Sequence, residues 1–332
     1  MSKISVASFG LGPIGLAVAK LISTKSGLKL VGAIDVDPEK IGKDLGELIG
    51  LREAMGVEVS SDAAAVFERC RPDVIVHCTS SFLPVVGEQL EGAARAGVNI
   101  VSSSEELLVP DLQHPEIATR IDEAARAGGA TVLGTGVNPG FVMDFMAAVG
   151  SAVCADVQSV RCERVVDAGT RRLPLQRKVG AGLTLEEFEE KKRAGRFGHI
   201  GLCESVALVG RALGFDLDST EQTLEAMVAD TEHVTPFLSV EAGRVAGIHN
   251  VGLGRRDGDL LVELDLKMYV GAPDPHDEVR LRGSPDVTMR FEGGIPGDGA
   301  TAAILVNSIA QVVACEPGLK TVLDLAPPRL MR

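Results

Sequence analysis

The stretch Ile4–Gly15, ISVASFGLGPIG, decides how the chain begins to fold. Ile4–Phe9 is a short apolar run. The glycines that close it, Gly10, Gly12 and Gly15, have the spacing G-x-G-x-x-G, and Pro13–Ser23 continues with helical periodicity. A strand, a glycine turn and a helix in that order can hold a dinucleotide. Gly10 permits the tight turn, Gly12 lets the backbone approach a pyrophosphate, and Gly15 lets the helix pack close to the strand. The helix start presents unpaired N–H groups and a positive dipole end to the phosphates. Pro13 suits an early helical position, where its missing N–H costs little. Gly10, Gly12, Pro13, Ile14 and Gly15 are therefore the expected cofactor contacts. A plain strand–turn–helix with glycines for packing is the bland alternative.

Asp35 lies twenty positions beyond Gly15 and closes a second apolar run, Leu28–Ile34. A carboxylate there can accept hydrogen bonds from both ribose hydroxyls and would repel a 2′-phosphate. NAD is favoured, while Lys40 and Lys43 keep NADP open. Further strands are expected at Val57–Val59, Val74–Cys78, Asn99–Val101 and Thr131–Leu133. Helices are expected at Ala63–Arg69, Leu83–Ala96 and Ile117–Ala127. Strands alternating with such helices imply βαβ units and a doubly wound parallel sheet of Rossmann type.

After about Phe141 the pattern changes. One helix is expected at Val142–Val149. Longer strand-like stretches follow at Val157–Val166, His233–Val240, Arg244–Val251, Leu260–Tyr269, Val279–Arg282 and Val287–Phe291. Turn chemistry such as Arg256-Asp257-Gly258 joins several of them, which suggests a mainly antiparallel sheet. Helical inserts are expected at Thr184–Arg193, which opens with a capping-box signature, and at Gly201–Leu213. The apolar helix Ala300–Cys315 is expected to pack back onto the first domain. The fold class is thus α/β, with a dinucleotide-binding domain at 1–140 completed by 297–332. A second, α+β domain occupies 141–296.

Composition narrows the function. The chain has 332 residues, 45% of them hydrophobic, and a formal charge of −13 from 33 Lys+Arg against 46 Asp+Glu. That hydrophobic content excludes wholesale disorder. The acidic balance argues against nucleic-acid or anionic-membrane partners. With one Tyr and no Trp, stacking platforms for single strands are not expected. The six cysteines form no C-x-x-C pair and read as reduced thiols. No signal-peptide pattern is evident, and no uninterrupted apolar run reaches the ~20 residues needed to span a bilayer. A soluble cytoplasmic protein is expected.

Three loops should open onto one rim, because ligands of open parallel sheets bind beyond the carboxyl ends of the strands. Thr79, Ser80 and Ser81 follow the fourth strand and are expected to line the nicotinamide side. Glu105 and Glu106 follow the fifth. Gly134–Gly140, GTGVNPG, follows the sixth, with Asn138 at the floor of the substrate pocket. Paired carboxylates are also common in helix first turns, where they favour the dipole. Beside a nicotinamide, however, a carboxylate has a particular meaning. It favours a cationic centre such as ammonium or iminium over a developing alkoxide. It can also move protons as ammonia adds to a carbonyl and water leaves.

The chain resembles the 2,4-diaminopentanoate dehydrogenase family and its relatives, the native amine dehydrogenases, within the dihydrodipicolinate-reductase-like group. The stretches that carry the resemblance are Gly10–Gly15, Val31–Asp35 with Gly42–Gly46, Ser103–Leu107 and Gly136–Phe141. Gly198–Leu202 with Glu204-Ser205, Gly293–Asn307, Pro317–Leu319 and Asp324-Leu325 extend it over nearly the whole chain. Pro296 stands where a more polar residue is expected. The resemblance implies NAD(P)-dependent oxidative deamination of an amine, or reductive amination of a ketone or aldehyde with ammonia. It also implies a homodimer whose interface uses the sheet of the second domain. The family's catalytic glutamate falls on Glu105, with Glu106 as the neighbouring candidate and a substrate contact.

Among the remaining residues, His199 is either a pocket group or a capping histidine. Phe141 and Tyr269 are expected in an apolar pocket wall, together with Phe145 if it is not simply core. His199 and Cys203 lie four apart, but no third ligand has suitable spacing, so no metal is expected. His77 and Cys78 read as core. Arg161, Arg164, Arg171 and Arg172 could bind a carboxylate but more often such residues are surface charge. Two alternatives stay open: a related reductase of a hydroxy, oxo or unsaturated substrate, and a non-catalytic dinucleotide sensor.

Overall fold

The computed structural model describes residues 3–195 and 197–332. The chain runs through β1 (Ile4–Phe9), α1 (Pro13–Ser23), β2 (Leu28–Ile34), α2 (Leu45–Leu48), β3 (Val59–Ser60), α3 (Ala63–Cys70) and β4 (Val74–His77). Next come α4 (Leu83–Arg95), β5 (Asn99–Ser102), α5 (Pro115–Gly128), β6 (Thr131–Gly134), α6 (Phe145–Ser151) and β7 (Asp156–Asp167). They are followed by α7 (Leu173–Lys178), α8 (Leu185–Arg193), α9 (Leu202–Leu213), β8 (Ser219–Val228), β9 (His233–Val234) and β10 (Ser239–Val240). The last elements are β11 (Val245–Arg256), β12 (Asp259–Tyr269), β13 (His276–Ser284), β14 (Val287–Glu292), α10 (Gly297–Ala314) and β15 (Gly318–Lys320). They form two compact units, Met1–Gly140 with Pro296–Arg332, and Phe141–Ile295.

The first unit is built on a parallel sheet of seven strands in the order β15-β6-β5-β4-β1-β2-β3. The strand order reverses between β1 and β4, so their carboxyl ends adjoin at the topological switch point. Ala7, Phe9, Ile75, Ile100 and Val132 enter one core cluster with Val86 and Leu90 of α4 and Ile121 of α5. α10 packs against α1 and against β4 to β6. It is long and apolar enough to cross a bilayer by composition alone. Here Leu305, Val306, Ile309 and Val312 are buried in the fold instead.

The turn from β1 into α1 is held by packing that only glycine permits. Gly10 has φ +88°, and a Cβ there would stand 2.5 Å from the Cys78 carbonyl oxygen. A Cβ on Gly15 would fall 1.8 Å from the Gly10 carbonyl oxygen. The first turn of α1 therefore lies directly on the end of β1.

The second unit is built on a six-stranded mixed sheet, β14-β13-β7-β12-β11-β8. β7 and β12 run parallel, and the other neighbours are antiparallel. Thr184 and Glu187 close the capping box that starts α8. Arg164, expected at the surface, is instead buried and paired with Asp277. Its Nη2 donates to the Ile295 carbonyl at 2.8 Å, and the Ile295 N–H donates to Asp277 at 2.7 Å. This closed network ties β7 and β13 to the end of the unit, which satisfies charges that could not be buried alone.

Several local expectations change. His233–Val240 is two two-residue strands paired as a hairpin, not one strand. Pro236 cannot donate to a ladder, and the Thr235 hydroxyl accepts the Phe237 and Leu238 N–H groups, which fixes a turn. The helix expected from Val142 starts at Phe145, because the Asp144 carboxylate caps it by accepting the Phe145 N–H at 2.6 Å. The third strand lies at Val59–Ser60 rather than Val57–Val59. β8 was not expected, since STEQTLEAMV is polar and forms an edge strand paired only with β11. β15 is a three-residue edge strand, too short to leave a pattern.

Gly15→Ala should cost about 3 kcal/mol or more of stability, at the upper end of overpacking effects, because the clash is with backbone rather than a movable side chain. Thermal or urea unfolding measures this. A near-native midpoint would show that α1 can slide away from β1.

Candidate active site

The carboxyl ends of β4, β5 and β6 are laced together. The Ser103 N–H donates to the His77 carbonyl at 3.0 Å, and the Thr135 N–H to the Ser102 carbonyl at 2.9 Å. The Ser104 hydroxyl and the Glu106 N–H both donate to the Ser81 carbonyl, at 3.1 and 3.2 Å. Glu105–Leu107 is one turn of 3-10 helix. Gly134 leaves room for it, since a Cβ there would stand 2.6 Å from the Leu107 carbonyl. The loops carrying Thr79–Ser81, Glu105-Glu106 and Thr135–Gly140 thus share one rim.

The two adjacent carboxylates have different surroundings. Glu106 is buried, and its Oε2 accepts the Leu83 N–H at 2.6 Å and sits 3.1 Å from His114 Nε2. It pins the start of α4 to the turn. Glu105 is only part-buried. Its charge is felt by Cys78, whose thiol is pushed up to about 11 by burial and further raised by Glu105, while Ser103 opposes the shift. Cys78 in turn packs on the glycine turn, 3.6 Å from where a Gly15 Cβ would be. Glu105 therefore lies within electrostatic reach of a side chain that touches the start of α1.

The glycine turn itself has room where a ligand needs it. A Cβ on Gly12 would meet nothing within 4 Å, in contrast to Gly10 and Gly15. Gly12 is the N-cap of α1 with Pro13 next, so the N–H groups of Ile14 and Gly15 lie in the first turn. Asp35 is buried and accepts the Leu11 N–H at 2.5 Å and the Asp37 N–H at 2.8 Å. Lys40 lies 2.9 Å from Asp37 and 3.6 Å from Asp35. The Thr79 hydroxyl is bonded to His77 and Gln89, so its methyl is what faces Gly10. Ser80 Oγ accepts the Phe82 N–H at 3.4 Å.

Asn138 lies in the tight Gly136–Gly140 turn, and both of its side-chain polar atoms are shut off from water without a partner. Orphaned buried groups of this kind are uncommon and call for an explanation. His199 shows the same feature at Nε2. It belongs to the second unit, between Gly198 and Gly201, both with positive φ. Desolvation, then the charges of Lys178 and Arg164, push its pKa down to about 3, so the ring is neutral. Phe141 and Tyr269 are also in the second unit. The Phe141 ring lies 6.3 Å from that of Phe145, and Tyr269 packs against a core cluster containing Ala168, Val245 and Val270. Among the described residues no group of three or more His, Cys, Asp or Glu is placed to hold a metal. Sequence reasoning read His77 as core and missed Ser102 and Gln89, which both bond its ring behind the rim. A histidine inside an apolar strand, VIVH, was the available signal.

Comparison with known proteins decides the family. Residues 141–332 match the model of the 2,4-diaminopentanoate dehydrogenase C-terminal domain, and residues 4–107 that of the dihydrodipicolinate reductase N-terminus. The chain belongs to the 2,4-diaminopentanoate dehydrogenase family. It is 32% identical to the 2,4-diaminopentanoate dehydrogenase of Acetoanaerobium sticklandii, over 99% of this chain and 95% of that one. It is 26% identical to an amine dehydrogenase of Streptomyces virginiae, over 97% and 96% of the two chains. The solved amine dehydrogenase of Mycobacterium smegmatis superposes with a TM-score of 0.86 at 30% identity, covering 99% of this chain and 97% of that one. Members of this family are oxidoreductases, and so is this chain, which sets aside the non-catalytic sensor.

The two neutral histidines give stability a pH dependence. Unfolded imidazoles take up protons below about 6.5. The folded ring of His77 does so only near 4 and that of His199 near 3. Unfolding therefore binds protons across this window, and stability falls as pH falls through it. His199→Gln should lose less stability than wild type between pH 7 and 4.5 by differential scanning fluorimetry. An equal loss would mean that His199 titrates normally in the fold.

Proposed function

We propose that the chain is an NAD(P)-dependent amine dehydrogenase, interconverting a ketone or aldehyde plus ammonia with the corresponding amine. The observation that carries this reading is the division of the carboxylate pair. Glu106 is buried against Leu83 and His114, whereas Glu105 is part-exposed and its charge reaches Cys78 beside the glycine turn.

The residues fit the dinucleotide. The open space at Gly12 admits a pyrophosphate against the start of α1, with Gly10, Pro13, Ile14 and Gly15 shaping the turn. Asp35 accepts one backbone N–H on each oxygen, and a carboxylate has further lone pairs for ribose hydroxyls. NAD is the preferred coenzyme, because Lys40 is already held by Asp37 and Asp35 and two carboxylates would meet a 2′-phosphate. Thr79, Ser80 and Ser81 line its nicotinamide side. Bound there, the nicotinamide supplies hydride for amination and accepts it for deamination.

Glu105 does the proton work. As ammonia adds to the carbonyl carbon, its carboxylate takes a proton from nitrogen. It passes that proton to the former carbonyl oxygen, giving the hydroxyl, and then delivers a second proton, taken up from solvent, so that the hydroxyl departs as water. Its negative charge then stabilises the iminium that receives hydride. Asn138, in the same unit as Glu105, offers unpaired polar atoms to the substrate. Diamines such as 2,4-diaminopentanoate are the first substrates to test, on the strength of the relative's name. We further propose a homodimer formed through the sheet of the second unit, in a reducing cytoplasm that suits six free thiols.

Three measurements test this. A steady-state screen of amines and ketones with NAD and NADP should show NADH oxidation that depends on ammonia. Ammonia-independent oxidation would favour reduction of an oxo or unsaturated substrate. Glu105→Gln should lower kcat by roughly a hundredfold or more, typical of losing a general base, with dinucleotide affinity little changed. Gly12→Ala should fold normally yet bind dinucleotide at least roughly tenfold more weakly, about the loss of one good hydrogen bond. Tight binding by Gly12→Ala would place the diphosphate elsewhere.

A further inference from the structure

His77 is the last residue of β4 and is fully buried, and the reaction proposed above makes no use of it. Its two ring nitrogens meet two different loops. Nδ1 lies 2.9 Å from Ser102 Oγ, at the end of β5. Nε2 lies 2.9 Å from Gln89 Oε1 on α4 and 2.9 Å from the Thr79 hydroxyl. The Ser104 N–H donates to Ser102 Oγ at 3.1 Å, one residue before Glu105. The Thr79 hydroxyl donates to Gln89 Oε1 at 2.9 Å. The Phe9 ring packs edge-on against the imidazole, with centroids 5.3 Å apart, and so fixes its plane.

These partners select one tautomer. Gln89 Oε1 only accepts, so the ring proton sits on Nε2 and points to it. Nδ1 is then an acceptor, and the Ser102 hydroxyl donates to it. The hydrogen bonds run from Ser104 N–H to Ser102, from Ser102 to His77 and from His77 to Gln89, where the Thr79 hydroxyl also donates. A protonated ring would have no acceptor for Ser102. Burial keeps the ring neutral, with its pKa down at about 4 against the opposing effect of Gln89.

We infer that His77 is a positioning residue that locks the Thr79–Ser81 loop and the Ser102–Glu105 turn at a fixed separation. Resting on the amine dehydrogenase reading, this makes the cofactor-side loop and the catalytic carboxylate one rigid piece. Few other side chains can do this, because the ring is donor at one edge and acceptor at another. Asparagine reaches only the place of Nδ1, and glutamine only that of Nε2.

That difference supplies the test, on the full-length protein. NADH affinity is read by fluorescence titration, and kcat by ammonia-dependent turnover at saturating NADH. His77→Asn keeps an acceptor for Ser102, so its larger loss should be in NADH affinity, by roughly tenfold for one hydrogen bond. His77→Gln keeps a donor for Gln89, so its larger loss should be in kcat, by a similar factor. Thr79→Val should follow the first pattern and Ser102→Ala the second, which keeps the test open if a histidine variant fails to fold. A lower melting temperature with affinity and kcat both within about twofold of wild type, or equal losses of both in the two series, overturns the inference. Wild type that binds no dinucleotide would overturn instead the reading on which it rests.

Discussion

The site depends on how closely the first turn of α1 is pressed against the end of β1. The Gly10 carbonyl occupies the space where a Gly15 side chain would begin. That contact holds α1 in line with the switch point, with its unpaired N–H groups at the rim. It also leaves a slot at the end of β4 that Cys78 fills, its side chain near Gly15 and its carbonyl near Gly10. The loops after β4 and β5 are thereby indexed to the glycine turn through packing rather than through a ligand.

From that anchor, polar groups divide into those that build the rim and those left facing it. Ser81, Ser102, Ser104, Glu106 and His114 bond to one another or to backbone. Asn138 is placed among them with both side-chain polar atoms unbonded. Burial of Glu106 next to a part-exposed Glu105 gives the two neighbouring carboxylates different surroundings, and the proposed chemistry falls to Glu105. A preorganised anion of this kind needs no rearrangement when positive charge develops.

Much of this was legible in the sequence, and the misses have physical causes. β1, α1 and β2 emerged with their observed ends, because apolar runs bounded by glycine and aspartate leave few alternatives. The capping box at Thr184 marked α8 for a similar reason. β8 and β15 were hidden because edge strands need little apolar sequence of their own. The inward turn of Glu106 was hidden because it depends on Leu83, 23 residues earlier, and on the loop that brings His114 back to it. Arg164 looked like surface charge for the same reason, since its partner Asp277 comes 113 residues later. His77 was read as core, correctly as to burial, but periodicity says nothing of what a buried ring bonds to.

The most direct test of the central claim, that Glu105 is the anion meeting the cationic carbon–nitrogen centre, is a crystal structure of the ternary complex with coenzyme and an amine. The account predicts a Glu105 carboxylate oxygen within hydrogen-bond distance, roughly 3 Å, of the substrate nitrogen, with Glu106 still bound to Leu83. A substrate nitrogen held by Glu106, or a Glu105 carboxylate turned to bulk water, would contradict it.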